Sequence, residues 1–503
     1  MDVYIGKNKV ISNYTEEELL RIKEDLTLDN PKYAQVKKYS KYKNTRVPKY
    51  LFYYTQISKA IIVPRGYNIP FEHSIIEDTR NENTVNYPPF KLTLRETQKE
   101  AKECYLEDTD KGLIVLPTGK GKTILGLNLA YSLRQKTLVI VHKDDLVDGW
   151  SKDCKLCFGD DFKVGIYKAK KREIGEQVTI ATIQTLNRLD VETLEEFQSN
   201  FGLVILDECH HIASSSFDLL HRFNSCYKIG LSATPERADG LTKVMYHHLG
   251  DCAYKHEIQK DDKDILPVKV ITQTLNNVVV DIYAKEKSKG VYEIVPLEAP
   301  FNFNYTNIKE IDYKYRPKVP YFDIDNRVLS YPRFFHHVVN DIYKEYKNGR
   351  SIICFFSQKK HVEKYEELLI ERGVPKEKIL LYYGDAKQSK DEMKQKAESK
   401  EVMITLATYS IATEGTNVKA WEVAFLVSSI NNGKNTEQAV GRIRRSAEGK
   451  ITPVKVYDYV LPNVYSIGDK HYKTRRQRYK KLGFEIVDDI KDNKGLFSRG
   501  FKK

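Results

Sequence analysis

Residues 116–123 of this chain read Leu116-Pro-Thr-Gly-Lys-Gly-Lys-Thr123, and they are the strongest indication of its fold class. A glycine-rich turn ending in Lys-Thr offers backbone N–H groups, an ammonium group and a hydroxyl to nucleotide phosphates and Mg²⁺. An apolar run of buried-strand type, residues 112–116, precedes the turn, and apolar residues at helical spacing follow it over residues 124–134. Strand, phosphate loop and helix in this order predict a nucleotide-binding α/β domain, although Leu116 stands where the usual pattern has glycine. The candidate nucleotide contacts are Pro117, Thr118, Gly119, Lys120, Gly121, Lys122 and Thr123.

Two acidic residues follow the apolar run Phe201-Gly-Leu-Val-Ile-Leu206 directly. Parallel α/β sheets place ligands at the carboxyl ends of their strands, so Asp207 and Glu208 are expected at such an edge. We expect Asp207, together with Thr123, to hold Mg²⁺, and Glu208 to orient and deprotonate the attacking water.

A second half-site, Gln438-Ala-Val-Gly-Arg-Ile-Arg-Arg445, lies near the other end of the chain. Its arginines can supply positive charge at the γ-phosphate of a nucleotide held by another domain. Strand and helix patterns alternate before it, with strands at 350–356 and 379–383 and a helix at 361–371. Repeated βα units of this kind predict a second parallel sheet.

The motifs Asp207-Glu-Cys-His210, Ser232-Ala-Thr234, Glu414-Gly415 and Gln438-x-x-Gly-Arg-x-x-Arg445 occur in an order that resembles superfamily 2 helicases. Leu94-Arg95-x-x-Gln98 stands where that family has its adenine-reading glutamine. The resemblance spans about residues 90 to 460. It implies an α/β fold of two tandem RecA-like domains, with ATP and Mg²⁺ between them and nucleic acid across both.

The resemblance also implies roles for residues outside the phosphate loop. They are the adenine contacts Arg95 and Gln98, the nucleotide contact Gly415, the coupling residues Ser232, Ala233 and Thr234, and the catalytic residues Gln438, Arg442 and Arg445. Of the two arginines, Arg445 is favoured as the arginine finger, and Arg442 is the alternative.

The charge of the chain favours a polyanionic partner, because Lys+Arg number 82 against 69 Asp+Glu, a net charge of +13. We expect a monomer without a membrane segment or signal peptide, acting in the cytoplasm, or in the host cytoplasm if the gene is a phage's. The seven cysteines are expected to be reduced thiols.

Candidate nucleic-acid contacts fall in three places: polar residues after predicted strands, a basic tyrosine-rich stretch at residues 32–49, and a basic tail helix at 471–481. Short polar residues at strand ends can bond phosphate oxygens without reading bases. Helix caps, a solvated basic face and a disordered tail are the competing interpretations. The candidates are His142, Lys143, Thr182, Gln184, Thr185 and Thr408 for the first place, Lys38, Lys41 and Lys43 for the second, and Arg475 and Arg476 for the third.

Turn-rich stretches and composition divide the chain into a small α+β recognition domain, a first motor domain, an insertion, a second motor domain and a basic extension. Their predicted ranges are 1–88, 89–255, 256–325, 326–463 and 464–503.

The first of these domains, with Leu26-Thr-Leu-Asp-Asn-Pro-x-Tyr33 and Ile62-Val-Pro-Arg-Gly66, resembles the front domain of phage branch-migration helicases of the UvsW type, which are related to RecG and XPB. The continuation Ser232-Ala-Thr-Pro-Glu-Arg-Ala-Asp-Gly240 is similar to the same group. This narrower resemblance implies fork regression and Holliday-junction branch migration on DNA in replication, recombination and repair. An RNA helicase or RNA-dependent ATPase, and a duplex-DNA translocase that serves a nuclease partner, are the alternatives.

Overall fold

The chain folds as two units, Met1–Glu257 and Ile258–Lys503, in a computed structural model. The structure describes residues 1–33, 47–117, 119–169, 171–211, 218–233, 241–256, 266–276, 283–288, 291–295, 305–307, 321–383, 390–409, 418–428, 433–447, 449–460 and 466–492. The basic residues Lys38, Lys41 and Lys43 lie outside the described residues. All seven cysteines are free thiols. Among the helices described, none has the length and apolar character needed to span a bilayer.

The first unit begins with an α+β module, as predicted. Its helix α1 starts at a capping box, in which the Thr15 hydroxyl accepts from the Glu18 N–H and the Glu18 carboxylate accepts from the Thr15 N–H. Ile22 of this helix is buried together with Val3, Ile11 and Ile61 of the sheet. The sheet order is β5-β6-β2-β1-β7, and β3 pairs with β4 separately. The elements are β1 Asp2–Ile5, β2 Asn8–Ser12, α1 Glu16–Asp25, β3 Thr27–Asp29, β4 Tyr50–Phe52, β5 Thr55–Ile57, β6 Ala60–Pro64 and β7 Ser74–Asp78.

The main sheet of the first unit has the strand order β11-β10-β12-β9-β13-β14-β8-β15, and its strands are parallel except at β11. Strands β9, β12 and β13 are buried along their whole length, which explains their continuous apolar runs. The predicted parallel α/β architecture is therefore confirmed in this unit. The elements are α2 Glu96–Glu107, β8 Leu113–Val115, α3 Lys122–Leu133, β9 Thr137–Val141, α4 Asp144–Phe158, β10 Gly165–Lys168, β11 Lys171–Arg172, β12 Val178–Thr182, α5 Ile183–Leu186, α6 Val191–Ser199, β13 Leu203–Asp207, β14 Tyr227–Ser232, α7 Thr242–Leu249 and β15 Cys252–Lys255, with short 3-10 helices at Cys209–His211 and Asp218–Arg222.

The second unit has its own parallel sheet, in the order β21-β22-β20-β23-β24-β16-β25, and a separate antiparallel sheet in the order β18-β17-β19. The predicted parallel α/β architecture is confirmed here too. The elements are β16 Val268–Asn276, β17 Tyr283–Ser288, β18 Val291–Ile294, β19 Tyr305–Asn307, α8 Tyr321–Leu329, α9 Pro332–Lys347, β20 Ile352–Phe356, α10 Lys359–Glu371, β21 Ile379–Tyr382, α11 Lys390–Glu398, β22 Ile404–Thr408, β23 Val423–Leu426, α12 Gly433–Ile443, β24 Val454–Val460, α13 Ser466–Lys481 and β25 Glu485–Asp492, with a 3-10 helix at Lys376–Lys378.

Two strands of this sheet come from outside residues 326–463, the range expected for the second motor domain. Strand β16 belongs to the stretch expected as an insertion, and β25 belongs to the stretch expected as a tail. Strand β16 lies between β24 and β25, with Val270 opposite both Val456 and Ile486. Because β16 pairs on both of its edges, these segments are structural parts of the second sheet.

The predicted basic tail helix forms as α13, but Arg475 does not lie on its surface. The Arg475 guanidinium donates to both carboxylate oxygens of Asp458, at 2.9 and 2.8 Å, and only 2% of the residue is exposed. The Tyr479 hydroxyl donates to the same carboxylate at 2.7 Å. The expectation that Arg475 contacts nucleic acid therefore needs correction, since its charge is used to anchor α13 on β24. Arg476 is more exposed and pairs with Asp488.

We expect Arg475→Met to lower the free energy of unfolding by about 3–5 kcal/mol, because it leaves the Asp458 carboxylate buried without its cation. Arg476→Met is the matched control on the same helix, and removing this exposed pair should lower stability by less than about 1 kcal/mol. Urea denaturation of the full-length variants measures both changes. Equal losses in the two variants would show that the burial of Arg475 carries no special energetic weight.

Candidate active site and nucleic-acid groove

The phosphate loop joins β8 to α3, and two of its glycines adopt left-handed backbone conformations. Gly119 has φ 93° and Gly121 has φ 76°, values that glycine adopts without strain. A Cβ atom at Gly121 would also lie 2.5 Å from the Gln98 Nε2 atom. Helix α3 begins at Lys122, so its first N–H groups face the loop, as anion binding requires. Thr118 lies outside the described residues.

Leu116, the departure from the usual loop pattern, is a core residue. It is fully buried in the apolar cluster of the sheet, and its N–H donates to the Ser232 carbonyl at 3.0 Å. The side chain therefore contributes to packing at the position where the usual pattern has glycine.

The two predicted adenine contacts lie against the phosphate loop at the start of α2. The Gln98 amide donates from Nε2 to the Gly121 carbonyl at 2.9 Å and accepts at Oε1 from the Arg95 N–H at 2.8 Å. The Arg95 guanidinium donates to the Gly119 carbonyl at 3.2 Å. An amide has two N–H donors and two acceptor lone pairs, so these two bonds use half of the capacity of Gln98. Gln98 is buried in this position, with 3% of the residue exposed.

Asp207 and Glu208 follow β13 directly, as the sequence predicts. The Asp207 carboxylate is 7% exposed, and its Oδ1 accepts from the Glu208 N–H at 3.0 Å. Burial raises the pKa of Asp207, and the charge of Glu208 raises it further. Glu208 has φ 45°, an uncommon value for a residue with a side chain, and its Oε1 lies 3.5 Å from Lys122 Nζ. The turn thus brings the predicted catalytic base to the predicted phosphate-binding lysine.

A histidine connects these acids to the predicted coupling segment. The Nδ1 atom of His210 lies 2.8 Å from the Ser232 hydroxyl and 3.5 Å from Glu208 Oε2. Ser232 ends β14, Ala233 follows it, and Thr234 lies outside the described residues. The sequence motif contained His210, but the pairing with Ser232 depends on the parallel register of β13 and β14.

These residues fit a nucleotide with Mg²⁺. The loop has glycines where a Cβ would collide or strain the backbone, and a helix amino terminus follows it. The cation of Lys122 lies close by, and Asp207 adds a buried carboxylate oxygen donor of the kind that Mg²⁺ prefers. The site therefore has phosphate-binding and metal-binding groups side by side.

The five predicted nucleic-acid residues that follow strands of the first unit line one groove. Strands β9 and β12 pair in parallel with Val141 opposite Thr182, so the residues that follow both strands meet at the same edge of the sheet. The groove is a cavity of about 440 Å³, and the Gln184 amide donates to the His142 carbonyl at 2.9 Å. Its lining residues are His142, Lys143, Asp144, Asp145, Ala169, Thr182, Gln184, Thr185 and Arg188.

Two features of the groove were not predicted. The hydroxyls of Thr182 and Thr185 are buried and lie 2.8 Å apart, so they bond to each other in the wall of the groove. Arg188 adds a cation, and its position one turn after Thr185 is a signal that sequence reasoning could have used.

In the second unit, the predicted catalytic arginines lie at the end of α12. Arg442 is buried, and Arg445 lies just beyond the helix. Lys450, which sequence reasoning missed, donates to the carbonyls of Ile443, Arg445 and Lys419 at 2.7–2.9 Å. Burial lowers the pKa of Lys450 to about 8. Two of the three donors of this ammonium hold the segment that carries the arginines, and the third bonds to the Lys419 carbonyl, which precedes β23.

Three other predicted site residues belong to the second unit, and the structure describes one of them fully, Thr408. Thr408 ends β22 opposite Phe356 of β20, as a strand-end polar residue should. Gly415 and the side chain of Gln438 lie outside the described residues.

Comparisons with known proteins identify two domains in the chain. Residues 91–237 match the family described as the type III restriction enzyme, res subunit, and residues 335–447 match the helicase conserved C-terminal domain. One relative is the protein named "Probable helicase D10" of Escherichia phage T5. It is 28% identical over 413 residues, which is 82% of this chain and 80% of the relative. The DNA 3'-5' translocase XPB2 of Sulfurisphaera tokodaii is 25% identical over 416 residues, 79% of this chain and 88% of the relative.

A third relative carries an RNA name. L396 of Acanthamoeba polyphaga mimivirus, whose name describes an ATP-dependent RNA helicase, is 24% identical over 501 residues, 96% of this chain and 85% of the relative. Among solved structures, a fragment of an HsdR subunit of a type I restriction enzyme from Vibrio vulnificus YJ016 superimposes with a TM-score of 0.53 at 19% identity. The match covers 80% of this chain and 69% of that one, and it shows a shared fold.

We expect Glu208→Gln to lower nucleotide hydrolysis by roughly 100-fold or more, the size of lost general-base catalysis. Lys122→Ala should nearly abolish hydrolysis because it removes the cation that contacts the phosphates. Glu208→Gln should still bind ATP, because Glu208 acts on the water while Lys122 contacts the phosphates. Steady-state hydrolysis and equilibrium binding of a fluorescent ATP analogue measure the two effects. Glu196→Gln, an exposed glutamate of α6, is the control that should change neither. A Glu208→Gln variant with more than about a tenth of the normal turnover would rule out the base assignment.

Proposed function

Because the chain carries both domains of a superfamily 2 helicase, we propose that it is an ATP-dependent motor that remodels branched DNA. The supporting observation is that one sheet carries two sites along the same edge. Strands β8 and β13 end at the nucleotide residues, and β9 and β12 end at the polar groove. Strand β13 pairs directly with β9, so changes at one site have a short route to the other.

The proposed chemistry assigns one task to each group of the first unit. Lys122 and the N–H groups at the start of α3 hold the phosphates, and Thr123 and Asp207 hold Mg²⁺. Glu208 orients the attacking water and takes its proton. Arg95 and Gln98 bind the adenine. Hydrolysis of the bound ATP supplies the free energy for movement. A shift of Glu208 during hydrolysis is transmitted to His210, and from His210 to Ser232.

The second unit contributes arginine charge in this proposal. Arg445 is the arginine finger and Arg442 a second phosphate contact, while Lys450 holds the backbone that carries them. An arginine finger acts on the charge that develops in the transition state more than on the bound nucleotide.

We expect Arg445→Ala to lower hydrolysis by roughly 1,000-fold or more with nearly unchanged ATP affinity. Arg444→Ala is the matched control in the same turn, because the Arg444 guanidinium lies over the Phe484 ring at 4.9 Å and is used in packing. Single-turnover hydrolysis and nucleotide binding are the measurements. A normal rate for Arg445→Ala together with an inactive Arg442→Ala would reverse the assignment of the finger.

The substrate assignment rests on the amino-terminal module and its basic stretch. The resemblance of this module to branch-migration helicases supports branched DNA, and the name of XPB2 supports a DNA track. The groove residues His142, Lys143, Thr182, Gln184 and Thr185 bind one strand in this proposal, and Lys38, Lys41 and Lys43 contact the branch. Arg476 and the exposed lysines of α13, Lys473 and Lys480, add contacts to duplex phosphates.

Two other functions are favoured by particular observations. The name of the mimivirus relative favours an RNA-stimulated ATPase. The match of residues 91–237 to a restriction-enzyme subunit family favours a duplex-DNA translocase that serves a nuclease. Hydrolysis stimulated by fork, linear duplex, single-stranded DNA and RNA separates the three.

Point substitutions test the branch contacts better than deletion of the module. The Arg65 guanidinium of the module is buried and donates to the Ser225 carbonyl, and Tyr53 packs edge-on against His248. Removing the module would expose these partners and confuse a loss of recognition with a loss of folding.

We expect conversion of Lys38, Lys41 and Lys43 together to Gln to abolish the preference for forks and four-way junctions while basal hydrolysis persists. The slope of log affinity against log salt should fall by about 0.9 for each duplex phosphate that the protein no longer neutralises. The control variant converts Lys59, Lys155 and Lys163 to Gln. These three lysines are exposed in the same unit, so the control removes the same amount of charge from a different part of the surface. An unchanged junction preference would exclude this stretch as the branch contact, and equal stimulation of the wild type by RNA would exclude a DNA remodeller.

A further inference from the structure

Trp150 joins the groove to the nucleotide site through helix α4. The groove residues Asp144 and Asp145 form the first turn of α4, and Lys143 precedes them. Trp150 lies about one and a half turns further along, on the helix face that also buries Val147 and Cys154. The same rigid helix therefore has one end in the groove and an interior residue at the sheet.

The Trp150 side chain touches both parts of the nucleotide site. Its indole Nε1 donates to Asp207 Oδ2 at 2.8 Å, and the residue is only 2% exposed. A Cβ added at Gly126 of α3 would come within 3.2 Å of the ring atom Cη2, so the ring packs closely on the helix that starts at the phosphate loop. One side chain thus contacts the predicted Mg²⁺ carboxylate and the predicted phosphate-binding helix.

The indole bond determines how the Asp207 carboxylate is oriented. Oδ1 accepts from the Glu208 N–H and Oδ2 accepts from Trp150, so each oxygen has one fixed donor. A buried carboxylate needs such donors to stay charged, and an indole N–H can only donate. Loss of a partner that orients a metal-binding side chain typically lowers metal affinity or activity by about 10-fold to 100-fold.

We propose that Trp150 is a positioning residue that couples nucleic acid in the groove to the Mg²⁺-binding carboxylate of Asp207. Phosphates bound at the start of α4 shift the helix, and the Trp150 indole moves with it. Through its hydrogen bond the indole then turns the Asp207 carboxylate into the orientation that holds Mg²⁺ for hydrolysis. This inference rests on the proposed function. It adds a residue that none of the helicase-like sequence motifs contains and assigns it the communication between the two sites.

The composition of the chain supplies a direct probe. Its two tryptophans are Trp150 in the first unit and Trp421 in the second, where the Trp421 indole donates to the Thr405 hydroxyl at 3.2 Å. Trp421→Phe leaves Trp150 as the sole indole fluorophore. We expect a single-stranded oligonucleotide, without nucleotide, to shift the emission of this variant with the same midpoint as its binding. Mg²⁺ with a non-hydrolysable ATP analogue should shift the emission again.

Trp150→Phe keeps a buried ring and removes the N–H. We expect the Mg²⁺ concentration for half-maximal hydrolysis to rise, and the stimulation by DNA to fall, by about 10-fold to 100-fold, the range for removed partners of metal ligands. Trp421→Phe is the matched control and should change neither quantity. Gly126→Ala is a second variant that crowds the ring and the Leu231 side chain without removing the indole N–H, and it should change both quantities in the same direction.

Two results would overturn the proposed coupling role of Trp150. Unchanged Mg²⁺ dependence and full DNA stimulation in Trp150→Phe would overturn the coupling role, as would an emission unaffected by DNA that is shown to bind. If Trp150→Phe fails to fold, the Gly126→Ala variant and the emission of Trp421→Phe decide in its place. Absence of any DNA-stimulated hydrolysis in the wild type would instead refute the proposed function, so the two failures are distinguishable.

Discussion

The parallel register of β13 with β9 and β14 is the constraint on which the first unit depends. Leu203 lies opposite both Thr137 and Tyr227, and this alignment continues to Asp207 opposite Leu231. The carboxyl ends of neighbouring strands therefore reach the same edge, which is where α/β sheets bind ligands. The positions of the nucleotide acids and the coupling serine follow from that alignment, and the pairing of β9 with β12 adds the groove at the same edge.

The site then has to stabilise charge in a buried place. Asp207 is buried, and desolvation would favour its neutral form, which cannot serve as a metal ligand in the proposed chemistry. Donors from Trp150 and from the Glu208 backbone act against this desolvation, and Lys122 lies near Glu208. The arrangement is typical of a functional site, because a regular sheet here contains a buried acid, Asp207, and a glutamate with a positive φ, Glu208.

In the second unit, the main sheet is built from strands that lie far apart in the chain. Strand β16 and strand β25 close one side of it, and helix α13 is anchored by the buried Arg475–Asp458 pair. Lys450 binds the carbonyls at the end of α12 in the same way, as a cation that satisfies backbone groups left open at a helix terminus. The basic character of the last part of the chain is thus divided between internal anchors and exposed lysines.

The α/β class, the phosphate loop, the acids after β13 and the order of the motifs could all be predicted from the sequence. Each of these features depends on the types of a few neighbouring residues. Strand-end polar residues such as His142 could likewise be predicted, since parallel strands bring their ends together. The residues that support those groups could be identified only from the packed structure. Trp150 meets Asp207, and Arg475 meets Asp458, across helices and strands whose packing no local pattern encodes. A basic residue in a tail looks the same in sequence whether it faces solvent or a buried aspartate, because burial and partner are properties of the packed chain.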